Sequence, residues 1–109
     1  MMENNQARRK YPRRQFYRSI GVLLAGQYFL VQGNEIGEGG IAFISSEPLE
    51  ELTVLVLTFQ IPNGDFVSTI SEVRSSLTNP DGTYTLGCLF RNIKFENKRQ
   101  IRTFVSARA

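Results

Sequence analysis

Apolar and polar residues alternate with a period of two along most of the chain, and the period changes only near its end. Residues 1–15 show no hydrophobic period and read as a flexible basic arm. After them, "FYRSIGVLLA" and "QYFLVQG" are short runs of aromatic and branched residues separated by "AGQ", which predicts a hairpin. "NEIGEGG" holds three glycines in seven residues and reads as a tight turn or a close backbone approach, after which "IAFIS" resumes an extended run. In "LTVLVLTFQIP" both alternating sets are mostly apolar, which predicts a strand buried on both faces and ended by Pro62. "FVSTISEVRSS" places Val67, Thr69, Ser71 and Val73 on one face. Across the "NPDG" turn, "YTLGCLF" places Tyr84, Leu86, Cys88 and Phe90 on one face. In "IKFENKRQIRTFVSARA" the apolar spacing becomes three and four, at Ile101, Phe104 and Val105. This predicts a helix from near Glu96 whose arginines at 99, 102 and 108 form the solvated side.

About six short strands with glycine turns and one terminal helix describe an all-β fold, a six-stranded antiparallel barrel closed so that no edge is exposed. The expected organisation is an arm over residues 1–15 and one barrel-plus-helix domain over 16–109.

Charge changes this picture at the amino-terminal end. The chain of 109 residues has 13 Lys and Arg against 10 Asp and Glu, net +3. Six of the basic groups fall within "RRKYPRRQFYR", residues 8–18, which contains no carboxylate. Five of those six are arginines, whose planar forks of donors suit phosphate and guanine edges and can stack on rings. With no histidine the commonest metal ligand and general base are missing, and one cysteine allows no internal disulfide. Cys88 reads as a small buried hydrophobe, and Arg74 as a surface or packing residue. No apolar run reaches bilayer length and "MMENNQARRK" leads into no signal-peptide core, so a cytoplasmic protein without membrane insertion is expected. No nucleophile, base and orienter form a set, so no enzyme is expected and no cofactor is implied.

"RRKYPR" at 8–13, followed about twenty residues later by "EIGEGGIAF" at 35–43, resembles the motif pair of the PilZ domain family: Arg-Arg-x-x-x-Arg before the first strand, then Asp/Asn-x-Ser-x-x-Gly between two barrel strands. The resemblance extends to the "LTFQIP", "EVRSS" and "YTLGCLF" strands and the closing helix. It implies a bacterial six-stranded barrel that binds cyclic di-GMP and relays that second messenger to a partner protein. Arg8, Arg9 and Arg13 fill the arginine positions and are expected on the phosphates and guanine rings of the ligand, with Lys10 and Arg14 as bystanders. In the second motif Glu35 stands where Asp or Asn is expected, Gly37 stands for Ser, and Gly40 is kept. A rival register starting at Asn34 restores the amide but puts Ile36 in the serine position; the first is preferred because it leaves Ile36 to the core. Loss of the serine hydroxyl is worth about 0.5 to 1.5 kcal/mol, which weakens binding without abolishing it. Gly37, Gly39 and Gly40 would equally be needed by a tight turn, and Glu35 could be a plain surface acid.

Three readings follow. The first is a cyclic di-GMP receptor or adaptor acting on an unidentified effector protein, with Arg8, Arg9, Arg13, Glu35, Gly37 and Gly40 as ligand-binding residues. The second is a degenerate PilZ-like protein-interaction module with weak or no nucleotide binding. A nucleic-acid binder ranks last, because the barrel lacks a basic stripe with interleaved aromatics.

Overall fold

The computed structural model describes residues 12–107. Seven strands and one helix follow one another: β1 (Arg13–Gln15), β2 (Ser19–Leu24), β3 (Gln27–Gly37), β4 (Gly40–Ser45), β5 (Val54–Gln60), β6 (Phe66–Thr78), β7 (Tyr84–Phe90) and α1 (Phe95–Ser106). All pairings are antiparallel, in the order β1-β3-β2-β5-β6-β7-β4, and β4 pairs back onto β3 to close a six-stranded barrel. β1 is an addition to that ring. It lies beside the end of β3, with Arg13 opposite Gly37 and Gln15 opposite Glu35. The Phe16 amide bonds to the Asn34 carbonyl and the Gly33 amide to the Arg18 carbonyl, which carries the pairing on toward β2. Of the arm expected over 1–15, therefore, Arg13–Gln15 belong to the sheet, and residues 1–11 lie outside the described residues.

The turns are those the sequence chemistry requires. Ala25 and Gly26 both take positive φ, 50° and 81°, as a two-residue hairpin turn needs to match the strand twist. Gly82, at φ 90°, does the same within "NPDG", where the Asn79 amide bonds to the Thr83 carbonyl.

Alternation fills the barrel: Ile20 and Val22, Ile36, Ile41 and Phe43, Leu55, Leu57 and Phe59, Val67 and Val73, and Leu86, Cys88 and Phe90 all point inward and are buried. α1 lays Ile101 and Val105 into this core. There Phe16 meets Phe59 and Phe104 edge-on at 5.9 and 6.3 Å, and Phe59 stacks on Phe90 at 5.8 Å. Burial in this setting pushes the Cys88 thiol up to about 12.

Two expectations are corrected. β5 is buried on one face only: Leu55, Leu57 and Phe59 point in, whereas Val54 is 49% exposed and Val56 and Thr58 are half-buried. A barrel covers one side of each strand, and α1 makes its contacts with β1 and β3 rather than over the outside of β5. "NEIGEGG" is mostly strand, since β3 runs through Gly37 and only Glu38 and Gly39 separate it from β4. What interrupts regularity there is a bulge between Gly33 and Glu35 against β4. Gly33 pairs with the inward Phe43, but after the extra residue Asn34 it is Ile36 that faces the core and Glu35 that faces out.

Candidate functional site

The bulge re-aims β3 and so builds the site. Beyond it, Glu35 and Gly37 share the outer face of the barrel with their cross-strand neighbours Gln15 and Arg13. The outward positions that follow on β4 and β7 include the small residues Gly40, Ala42 and Gly87, with the side chain of Leu89 standing opposite Gly40. Four strands at the usual spacing give a shelf on the order of 15 Å across. Arg13 and Glu35 stand at one end of it. A planar ring can lie on such a surface with its edges toward a guanidinium and a carboxylate.

Arg13 Nη1 donates to Glu35 Oε1 at 3.1 Å, with the two side chains 47% and 32% exposed. An ion pair this open is worth about 0 to 1 kcal/mol, so an anionic ligand can take the guanidinium at little cost. Ile36 is 1% exposed and belongs to the core. The rival register would make it a ligand contact, and its burial removes that option.

Two glycines of the second motif have steric reasons of their own. A Cβ on Gly40 would overlap the Cys88 carbonyl oxygen, far inside van der Waals contact, with the Cys88 carbonyl carbon at 3.1 Å. On Gly37 it would meet the Pro12 carbonyl oxygen at 2.9 Å and Arg13 Cγ at 3.3 Å. The missing side chain at 37 is the space into which the chain just before Arg13 descends. Arg8 and Arg9 lie outside the described residues, so of the six expected contact residues the structure brings together Arg13, Glu35, Gly37 and Gly40.

Three charged residues with structural work to do were not singled out by the sequence. Arg14 points opposite to its neighbour Arg13, toward the helix rather than the shelf. Its Nη1 donates to the carbonyls of Phe104 and Ala107 at 2.7 and 2.8 Å, and its guanidinium lies 4.3 Å from the centre of the Phe104 ring. Glu38, 7% exposed, accepts from Arg102 Nε at 2.8 Å and from Nη2 at 3.1 Å. The hydrogen bonds from Arg102 hold its carboxyl below the usual range against the opposing effect of burial. The charges of Arg102 and Lys98 act in the same direction as those bonds. Arg102 thus has one fork on the barrel rather than lying wholly on a solvated face. Arg74 is a surface residue, as expected. With Arg91 it flanks Glu72, at 3.4 and 3.6 Å, beyond the far edge of the shelf. Among the described residues no group of side chains is arranged to hold a metal ion, and no helix is long and apolar enough to cross a membrane.

Solved structures share this architecture. The Bacillus subtilis inhibitor of motility, MotI/DgrA, superposes with a TM-score of 0.80 at 16% identity, over 89% of this chain and 49% of that one. Borreliella burgdorferi PlzA, in complex with c-di-GMP, gives 0.70 at 16% identity, over 93% and 42%. The PilZ domain of Escherichia coli YcgR, with c-di-GMP, gives 0.67 at 16% identity, over 90% and 88%. The chain spans about half the length of MotI/DgrA and less than half that of PlzA, and at these identities the likeness is one of fold. No curated protein matches the chain. The family model described as the PilZ domain matches residues 7–107, and the chain belongs to the PilZ domain family.

Proposed function

We propose that the protein is a cyclic di-GMP receptor whose ligand lies on the outer shelf of β1, β3, β4 and β7, gripped by Arg8, Arg9 and Arg13 and flanked by Glu35, Gly37 and Gly40. The observation that carries this reading is the convergence of Arg13 and Glu35, twenty-two positions apart, at the edge of a surface where Gly37, Gly40, Ala42 and Gly87 carry little side chain. Two phosphodiesters present negative charge to arginine forks, and guanine O6 and N7 are the best bidentate target for arginine among the bases. PlzA and the YcgR PilZ domain, which share the fold, hold this nucleotide. The role in this reading is recognition, in the cytoplasm where such a messenger would be met. The bound state is passed to an effector protein.

One feature favours the second reading, an interaction module. Tyr28, Leu23, Val56 and Ile70 form an outward apolar row across β3, β2, β5 and β6, with Tyr28 60% and Ile70 40% exposed.

Calorimetric titration with cyclic di-GMP separates the two. The receptor reading expects micromolar or tighter binding, weakened about 10- to 150-fold by Arg13→Ala, the equivalent of a lost charge-assisted contact of about 1.5 to 3 kcal/mol. Absence of heat, together with unshifted amide resonances at millimolar nucleotide, would leave the interaction module standing instead.

A further inference from the structure

The two segments that frame the shelf are separately fastened to the same end of α1. β1 is fastened through Arg14, one residue from Arg13, and the turn between β3 and β4 through Glu38, one residue from Gly37. We propose that the last two turns of α1 are a common anchor for both halves of the site. Arg14 and Glu38 are then positioning residues that couple order at the helix end to nucleotide affinity.

The chemistry of the helix end suits such a partner. Its last carbonyls carry the negative end of the helix dipole, those of Thr103 and Phe104 share the single Ala107 amide, and no basic residue lies in its own last turn. Arg14 supplies the missing charge and donors from β1, and spreads over the Phe104 ring as it does so. β1 has only three residues and, among the described strands, pairs with β3 alone; besides Arg14, the buried Phe16 that follows it is what holds this segment down. Because neighbouring strand residues point to opposite faces, fixing Arg14 toward the helix fixes Arg13 toward the shelf.

Glu38 is flanked by Gly37 and Gly39, which leave the turn loose unless something pins it. The Arg102 fork does so, and Arg102 lies two residues before Phe104 on the helix. The first half of α1 is tied elsewhere: Asn97 donates to Asp65 at 3.2 Å and Gln100 accepts the Asp65 amide at 2.8 Å. Ile101 and Val105 seat the last two turns in the core, so these turns move only as far as that packing allows, and when they do both fastenings loosen together.

The nucleotide part of this inference rests on the receptor reading; the coupling itself does not. The test loosens the helix end without touching the sheet. Thr103 is exposed on the last turn, and Thr103→Gly lowers helix propensity there. In the protein without nucleotide, hydrogen exchange should accelerate at least threefold in Arg14, Gln15 and residues 37–39 as well as in 103–107. At positions 14 and 15 Thr103→Gly should add nothing further once Arg14→Met has released β1, whereas 37–39, held through Arg102, should still respond. With cyclic di-GMP, Thr103→Gly and Arg14→Met should each weaken binding about 3- to 10-fold although neither residue faces the shelf. By linkage, nucleotide should slow exchange at 104–107 in the wild-type protein. Exchange in 14–15 and 37–39 that stays at the wild-type rate while 103–107 frays overturns the proposal, whatever binds. Coupled exchange with no nucleotide binding in the wild-type protein sinks the receptor reading and leaves the anchor intact.

Discussion

Gly40 is the one residue of the second motif that keeps the family pattern, and the structure gives it a purpose that needs no ligand. An alanine there would push its methyl into the Cys88 carbonyl oxygen, with the Cys88 carbonyl carbon at 3.1 Å and Leu89 Cα at 3.4 Å behind it. All three are backbone atoms of β7, which is held on its other edge by β6, so no side chain can swing away to make room. The first pairing of β4 with β7, Gly40 opposite Leu89, has to open, and with it the adjacent bond from the Phe90 amide to the Gly39 carbonyl.

Overpacking of this kind costs about 1 to 3 kcal/mol. A value near 2 kcal/mol, with a urea dependence of about 1.5 kcal/mol per M, lowers the unfolding midpoint by roughly 1.3 M and the melting temperature by about 8 to 16 °C. The assay is urea unfolding of Gly40→Ala without nucleotide, beside Arg13→Ala as control. Arg13 engages only the exposed Glu35, and its loss should cost no more than about 1 kcal/mol. A Gly40→Ala midpoint within about 0.3 M of wild type, with affinity lost, would mean that the glycine serves the ligand and that β4 and β7 do not approach as described.

The buried thiol gives a second handle. Cys88 titrates near 12 when folded and near 9.0 when exposed, so only the unfolded chain loses its proton between those values. Stability should fall as pH rises through that window, by up to about 1.4 kcal/mol per unit, and the extra slope should vanish in Cys88→Ala. Glu38 works in the opposite sense. Its carboxyl is held below the ordinary 4.5, so the stability it contributes is present above that value and is lost as pH falls through its folded pKa. Urea midpoints from pH 6 to 3 should fall less steeply in Glu38→Gln than in wild type.

The barrel was legible because an antiparallel strand with one wet face writes its direction into every second residue. β6 and β7 follow that rule, and so the inward sets Val67, Thr69, Ser71, Val73 and Leu86, Cys88, Phe90 could be read directly. β5 misled because its outer positions, Val54, Val56 and Thr58, are nearly as apolar as its inner ones, and alternation then says nothing about which face is wet. The glycine cluster was half legible. It reads as a tight turn or a close backbone approach, and at Gly37 and Gly40 another chain segment or strand does come close, but composition alone could not tell the two apart. The arginine motif was legible as a charge count, but Arg14 was not separable from Arg13. The partners of Arg14 lie 90 and 93 residues away, and its direction is fixed by β1, a strand too short to show a period.

Glu35 and Glu38 are three positions apart and each holds an arginine, yet the two pairs cannot play the same part. Arg13 and Glu35 are both well exposed, so water competes with each partner and the pair can be exchanged for a phosphate contact with little loss. The Glu38 side chain is only 9% exposed. Removing Arg102 from it would leave a nearly buried carboxylate with its principal donor gone, at a cost of about 1 to 3 kcal/mol. In the receptor reading proposed above, the first pair is the place a ligand would open, and the second is part of the frame that positions it. Departures from the family pattern at 35 and 37 would then bear on how well a nucleotide is held, while the Glu38–Arg102 pair would stay as the fold built it.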